Sequence, residues 1–242
     1  MSKQLTYWLY GKHPVEAAIE NEKRQINKLI VTRNNVRFLS KYSSLLQRRN
    51  IPTQLLENVD FDKILGNNVN SHQGIALATK ALKQPDLFNL PLDTANTLIM
   101  LDQITDPQNI GAIMRTATAF GVGAVVAAKD GAPSENAAMV KTSAGAFEKT
   151  PYIQVTNLCQ TIKKLKEHDF WIIALDTSGN KNISSIKDFK KKLLIFGSED
   201  KGVRNINLKV SDILLKINTT NHVESLNVAS TAAICLHATF NQ

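Results

Sequence analysis

Short apolar segments alternate with helical patterns over residues 96–242, and this alternation strongly limits how the chain can fold. One of them is the run Leu193-Leu194-Ile195-Phe196, which is apolar at every position. Continuously apolar strands are typical of a parallel sheet that is covered on both faces. We predict strands at residues 97–101, 123–127, 152–155, 170–175, 193–196 and 213–217, and helices at 109–120, 158–167 and 226–240.

The residues before this region predict a smaller α/β unit. A turn at Gly11 enters a helix that holds Pro14 in its first turn, where proline is tolerated. Strands and helices then alternate again. We predict strands at residues 28–32, 53–56 and 74–78, and helices at 37–49 and 60–65.

Residues 81–95 separate the two regions. They contain two prolines and show no clear period, which is typical of a linker. We therefore predict an α/β protein with an N-terminal domain over residues 1–80, a linker over 81–95 and a C-terminal domain over 96–242.

The charge balance favours a polyanionic partner. The formal net charge is +8, and residues 1–95 hold 13 Lys and Arg against 8 Asp and Glu. Ordinary solubility also accounts for a charge of this size, so both interpretations stay open. The predicted helix at 37–49 carries four basic residues that could meet phosphates, or that could simply form a solvated helix face: Arg37, Lys41, Arg48 and Arg49.

The remaining composition points to a cytoplasmic protein without a metal site. No apolar run approaches the roughly 18 residues that span a bilayer, and the first residues lack the apolar core of a signal peptide. Cys159 and Cys235 have no neighbouring cysteine, so we expect two buried thiols in a reducing compartment.

Ligands of parallel sheets bind beyond the carboxyl ends of the strands, so the loops after the predicted strands form the candidate site. The first loop leads into the helix at 109–120, with Asn109 in the turn and Arg115 in the second helical turn. The planar guanidinium of Arg115 can grip a phosphate. Alternatively, Arg115 forms a structural salt bridge with Asp102 or Asp106.

Two further loops complete the candidate site. In the second, Gly197 and Gly202 flank Glu199 and permit close approach of the backbone. This loop matches neither a Walker motif nor a G-x-G-x-x-G fingerprint, so neither ATP nor NAD is indicated. In the third, Ser225 or Asn227 can cap the last helix, and the free N–H groups of that helix start either bind a polar ligand or are simply capped.

Three motifs in these loops resemble those of the SpoU family, the RNA ribose 2′-O-methyltransferases of the SPOUT superfamily. They match in order and spacing: Asn109-x-Gly111-x-x-x-Arg115, Phe196-Gly197-x-Glu199-x-x-Gly202, and Glu224-Ser225-Leu226-Asn227-Val228. Ser143-Ala144-Gly145-Ala146 matches a fourth family segment. The N-terminal Gly11-Lys12-His13-Pro14-Val15 and His72-Gln73-Gly74-Ile75 resemble the substrate-binding domain of the branch that methylates a guanosine in large-subunit ribosomal RNA.

The resemblance implies a SPOUT α/β domain with a trefoil knot, an RNA-binding N-terminal domain and a homodimer. It also implies S-adenosyl-L-methionine as the methyl donor, held mainly by backbone groups of the second and third loops. The positions carried over as cofactor contacts are Gly197, Ile217 and Leu226.

The resemblance further implies catalytic roles for four residues. Arg115 is the catalytic arginine of the family pattern, and Asn109, Glu199 and Asn227 would position the ribose hydroxyl and brace it. Because a guanidinium stays protonated in proteins, we interpret Arg115 as the group that orients phosphate and ribose. The general base stays open; His222 is one candidate because an imidazole can accept a proton near neutral pH, although a lone loop histidine is more often a bystander.

Two positions depart from the family pattern. Ala229 stands where the family usually has serine, and Asn218 where many relatives have proline. We expect activity with a ribosomal RNA substrate to survive both changes. Two alternatives are a transfer RNA methyltransferase and a catalytically silent RNA-binding factor of ribosome assembly.

Overall fold

The protein is described by a computed structural model that covers residues 6–66, 72–220, 222 and 225–240. In chain order its elements are β1 (Thr6–Tyr10), α1 (Lys12–Glu20), β2 (Ile26–Thr32), α2 (Val36–Arg48), β3 (Thr53–Leu56), α3 (Asn58–Leu65), β4 (Ile75–Lys80), β5 (Thr97–Asp102), α4 (Pro107–Ala119), β6 (Val125–Ala128), α5 (Ala137–Thr142), β7 (Tyr152–Val155), α6 (Leu158–Glu167), β8 (Trp171–Leu175), β9 (Lys181–Asn182), β10 (Lys192–Gly197), α7 (Asn205–Val210), β11 (Ile213–Lys216) and α8 (Val228–Phe240).

The chain divides into two compact units. The N-terminal unit comprises residues 1–83 and 135–148, and the C-terminal unit comprises 84–134 and 149–242. The sequence had predicted contiguous domains, whereas residues 135–148 join the N-terminal unit. None of the helices in the described ranges is long and apolar enough to cross a membrane.

The N-terminal unit contains a four-stranded sheet in the order β1-β4-β2-β3. Strands β1 and β2 both pair antiparallel with β4, while β2 and β3 are parallel. The predicted strands and helices of this unit are confirmed within a few residues. Strand β1 was missed, because its residues Thr6-Tyr7-Trp8-Leu9-Tyr10 mix polar and apolar side chains; its pairing with the buried strand β4 defines it.

A buried ionic cluster attaches residues 135–148 to this unit. The side chain of Arg24 is fully buried and forms ion pairs with Glu135 and Glu148, which are 5% and 3% exposed. Tyr7 donates a hydrogen bond of 2.6 Å to Glu135, and Arg24 also donates to the carbonyl of Lys80 at 3.0 Å. Burial and the neighbouring Glu135 raise the pKa of Tyr7, so its phenol remains a hydrogen-bond donor.

The C-terminal unit contains a seven-stranded sheet in the order β7-β6-β5-β10-β8-β11-β9. Every neighbouring pair is parallel, as the apolar runs predicted. The central strand β10 is buried along residues 192–196. The strand order reverses between the neighbours β5 and β10, because β6 lies on the other side of β5 and β8 lies on the other side of β10. The loops that follow β5 and β10 therefore leave the same edge of the sheet, where ligands of such sheets commonly bind.

Three smaller expectations are corrected here. The predicted linker is structured in part, because Leu87 and Leu92 are buried in the core of the C-terminal unit. Cys159 is only partly buried, whereas Cys235 is buried as predicted, and burial raises its pKa to about 12. Helix α8 begins at Val228 rather than residue 226, because Asn227 forms its cap. The trefoil knot stays a prediction.

Candidate active site

Three of the four predicted catalytic residues meet in one hydrogen-bonded cluster in the C-terminal unit. The amide nitrogen of Asn227 lies 2.8 Å from Oε1 of Glu199 and 3.0 Å from Oδ1 of Asn109. The Asn109 amide nitrogen lies 3.4 Å from the same Glu199 oxygen, as a longer contact. We call these residues the Asn-Glu-Asn cluster.

Each member reaches the cluster from a different loop. Asn109 lies in the first turn of α4, which begins at Pro107 after the cap Asp106. Glu199 follows β10, and Asn227 directly precedes α8. Because β5 and β10 are parallel neighbours, the segments after them leave the same edge of the sheet.

Asn227 has a second function as the cap of α8. Its Oδ1 accepts hydrogen bonds from the backbone N–H groups of Ala229, at 2.9 Å, and Ser230, at 3.4 Å. The cap fixes the side chain with its amide nitrogen toward Glu199. The two interpretations of this stretch, helix cap and functional loop, therefore both apply.

Arg115 is not part of the Asn-Glu-Asn cluster. It is exposed on α4, and no hydrogen bond or ion pair links it to another residue in the described ranges. The expected salt-bridge partners are engaged elsewhere: Asp106 caps α4 by accepting from Gln108, and the buried Asp102 pairs with Arg204. The guanidinium of Arg115 is thus available for an anion.

Asp102 holds the loop that carries Glu199, a role that sequence reasoning missed. Its carboxylate accepts from the backbone N–H and Nε of Arg204, at 2.9 and 2.7 Å, and from the amide of Asn207 at 2.8 Å. At the other end of the loop, a side chain on Gly197 would clash with the backbone, because its Cβ would lie 2.0 Å from the carbonyl carbon of Gly202. The hydrogen bonds to Asp102 and the close packing of Gly197 against Gly202 together fix the loop.

Two cavities that share lining residues adjoin the cluster. The smaller, about 140 Å³, is lined by apolar residues such as Leu215 and by polar residues such as Asp176. The larger, about 500 Å³, is lined by residues of the loop at 197–202, including Glu199. Of the predicted cofactor contacts, Gly197 lines the larger cavity, Ile217 the smaller and Leu226 both. Pockets for small ligands commonly measure about 300–1,000 Å³.

The lining fits S-adenosyl-L-methionine. Leu215, Ile217 and Leu226 form an apolar wall of the smaller cavity that suits a purine ring. The larger cavity carries three carboxylates, Asp176, Glu199 and Asp200, against the single ammonium of Lys201. An excess of carboxylates favours a cationic ligand group such as a sulfonium.

Three other residues singled out from the sequence lie in this region: His222, Ala229 and Asn218. His222 is exposed, and its neighbours Val223 and Glu224 lie outside the described residues. Ala229 offers only its backbone N–H to Asn227, so the departure from serine leaves the cap intact. Asn218 is exposed between Ile217 and Thr219, which both line the smaller cavity.

In the N-terminal unit, the four predicted RNA-binding residues separate into two groups. Arg37, Lys41 and Arg48 are exposed on α2, and their spacing places them on one helix face; we call them the α2 stripe. Lys41 forms an ion pair of 2.9 Å with the largely buried Glu16, and Arg48 forms an exposed ion pair of 3.0 Å with Glu22.

Arg49 has different surroundings. Its guanidinium donates to the carbonyls of Ala18 and Ile19 near the end of α1, and to that of Arg24 at 2.6 Å. The bonds to Ala18 and Ile19 satisfy carbonyls that the last turn of α1 leaves free. The geometry therefore gives Arg49 a structural role and leaves the α2 stripe as the basic face.

Comparison with known proteins matches both units. The SpoU rRNA Methylase family model matches residues 96–237, and the model for RNA 2′-O ribose methyltransferase substrate binding matches residues 8–85. The 23S rRNA (guanosine-2′-O-)-methyltransferase RlmB of Nitrosomonas europaea is 31% identical over 97% of this chain and 91% of that protein. RlmB of Salmonella typhimurium is 32% identical, over 97% and 98%.

Solved structures share the fold. The crystal structure of the SpoU methyltransferase AviRb from Streptomyces viridochromogenes, in complex with the cofactor AdoMet, has a TM-score of 0.80 at 22% identity. The match covers 98% of this chain and 90% of that one. With family models over both units and relatives matched along nearly their whole length, the chain belongs to the SpoU rRNA methylase family.

Proposed function

We propose that this protein methylates the 2′-hydroxyl of a guanosine ribose in 23S ribosomal RNA, with S-adenosyl-L-methionine as methyl donor. The observation that carries the proposal is the Asn-Glu-Asn cluster, whose Glu199 also lines the larger cavity. The relatives that are about one-third identical over nearly the whole chain support the substrate.

The cofactor, when bound, supplies an electrophilic methyl group. The protein contributes orientation and placed charge. Gly197, Ile217 and Leu226 would hold it, since they line the cavities from the second and third loops. The loops are fixed before any ligand arrives, because Asp102 holds one and the Asn227 cap holds the other.

The Asn-Glu-Asn cluster would hold the ribose hydroxyl. Oε1 of Glu199 accepts from Asn227 at 2.8 Å and from the backbone N–H of Val228 at 3.3 Å. Its Oε2 has no hydrogen-bond partner in the described part of the chain. This oxygen is therefore the free acceptor to which a ribose hydroxyl can donate, which would orient the hydroxyl oxygen for attack on the methyl group.

Arg115 would orient the RNA backbone. Its guanidinium is exposed and unpaired among the described residues, and a planar fork of donors matches a phosphate. Its permanent positive charge makes it a poor general base. The α2 stripe would add sequence-independent phosphate contacts.

The proposal includes a homodimer in the cytoplasm. Two large apolar residues of α8, Ile234 and Phe240, are 40% and 60% exposed in the single chain. In a homodimer that packs on α8, the partner would cover apolar side chains of this kind. Light scattering coupled to gel filtration gives the mass directly; a monomer at micromolar concentration would exclude this part of the proposal.

Methyl transfer to RNA tests the main proposal. Purified protein and methyl-labelled S-adenosyl-L-methionine are incubated with unmodified 23S rRNA or with transfer RNA, and any label is mapped by nuclease digestion. We expect label on one guanosine ribose of the 23S rRNA. Label on transfer RNA would show that transfer RNA, and not 23S rRNA, is the substrate. If no RNA is labelled and the cofactor does not bind, the protein is better explained as a catalytically silent RNA-binding factor.

A further inference from the structure

We propose that Asp176 is an additional cofactor-binding residue, whose carboxylate receives the ribose hydroxyls of S-adenosyl-L-methionine. The inference rests on the proposed function and deepens it. Asp176 directly follows β8 and lines both cavities. It belongs to none of the three motifs on which the family resemblance depends.

The backbone around Asp176 is tightly fixed. Its N–H donates to the carbonyl of Leu215 at 3.0 Å, and its carbonyl accepts from Gly179 at 3.0 Å, closing a short turn. Gly179 packs against β11 so closely that a Cβ there would lie 2.8 Å from the carbonyl oxygen of Leu214. The turn therefore cannot shift without displacing the neighbouring strand.

The carboxylate itself is oriented with one oxygen free. Its Oδ1 accepts two hydrogen bonds from Ser178, from the backbone N–H at 2.8 Å and from the hydroxyl at 2.5 Å. Oδ2 has no partner among the residues that the structure describes. Asp176 thus lines both cavities and has one carboxylate oxygen held by Ser178 and one still able to accept a hydrogen bond.

The position of Asp176 selects which part of the cofactor it meets. One cavity has an apolar wall that suits a purine, and the other has the charged loop that suits the sulfonium and its amino-acid tail. Asp176 lines both, and the ribose is the group that joins those two parts of the molecule. An acidic side chain beyond the carboxyl end of a parallel strand is a known way to bind ribose hydroxyls.

The alternative role is attraction of the positive sulfonium by charge alone. The two roles differ in what they recognise. If Asp176 recognises hydroxyls, it strengthens the binding of any ligand that contains an adenosine ribose, whether or not the ligand is charged. This contribution disappears when the ribose hydroxyls are removed. Charge attraction acts on S-adenosyl-L-methionine and leaves uncharged nucleosides unaffected.

Binding measurements with Asp176→Asn and Asp176→Ala separate these roles. Calorimetry gives the affinity for S-adenosyl-L-methionine, and competition gives the affinities for adenosine and 2′,3′-dideoxyadenosine. Asp130→Asn is the matched control, since Asp130 is exposed after β6 and lines neither cavity. Circular dichroism and thermal melting verify that each variant is folded.

We expect both Asp176 variants to bind S-adenosyl-L-methionine about tenfold or more weakly, the scale of a lost hydrogen bond to a charged group. The wild type and Asp130→Asn should prefer adenosine to the dideoxynucleoside, and the Asp176 variants should lose that preference. Unchanged cofactor affinity, or a preference for adenosine that survives in the folded variants, would overturn the inference. A folded wild type that does not bind S-adenosyl-L-methionine would instead refute the proposed function itself, and the inference with it.

Discussion

The side-chain amide of Asn227 donates to Glu199 at 2.8 Å, while the oxygen of the same amide caps helix α8. One side chain therefore joins a helix start to the candidate catalytic loop. The two hydrogen-bonding ends of the amide have different partners, so substitutions can separate the structural function of Asn227 from the functional one.

Asn227→Asp keeps the capping oxygen but replaces the donor with a second carboxylate oxygen beside Glu199. We expect near-normal stability of α8 and a strong loss of methyl transfer. Asn227→Ala removes both ends, so we expect the same loss of transfer and a decrease of about 1 kcal/mol in the free energy of unfolding, typical of a lost cap. Chemical denaturation and single-turnover methyl transfer measure the two effects. Full activity in Asn227→Asp would exclude a need for the donor.

Arg115→Ala should abolish methyl transfer and leave the fold intact, because Arg115 is exposed and makes no ion pair within the described ranges. Arg115→Lys keeps the charge but lacks the planar fork, so we expect only partial recovery. The measurements are the thermal melting temperature, the cofactor affinity and the rate of transfer to RNA. Unchanged turnover in Arg115→Ala would refute the role proposed for this residue.

Much of the C-terminal unit could be predicted from sequence because its central strands carry long apolar runs, such as Leu193–Phe196 in β10. The rule that ligands bind beyond the strand ends then selected the loops that hold Asn109, Glu199 and Asn227, which the structure joins. The same rule points to Asp176 after β8, but no motif contains it. Its significance depends on cavities that only the folded chain defines.

Other features could not be predicted because they depend on distant residues. Arg24 and Glu148 are 124 positions apart, and nothing in the sequence pairs them. Arg49 was grouped with the basic helix face by spacing, yet its guanidinium meets the carbonyls at the end of α1. Helix periodicity gives the direction of a side chain but not the partner that it finds.

The α2 stripe should contribute phosphate contacts. Replacing Arg37, Lys41 and Arg48 together with glutamine should weaken RNA binding and reduce its salt dependence, with the slope of log affinity against log salt falling by about 2 for three contacts to single-stranded RNA. Replacing Lys23, Arg33 and Lys63, which are exposed elsewhere in the same unit, removes equal charge and serves as control. Equal effects of the two triple variants would show that total charge alone matters.

Arg24 should be the most sensitive position for the stability of the N-terminal unit. Arg24→Met leaves Glu135 and Glu148 buried without a counter-charge, which commonly costs about 3–5 kcal/mol of unfolding free energy. The matched control is Arg33→Gln, because the pair of Arg33 with Glu57 is well exposed on both sides and such pairs contribute about 1 kcal/mol or less. Chemical denaturation followed by circular dichroism compares the two variants. Limited proteolysis should cut residues 135–148 faster in Arg24→Met alone; if both variants resist equally, the apolar contacts of this segment, and not the ionic cluster, hold it in place.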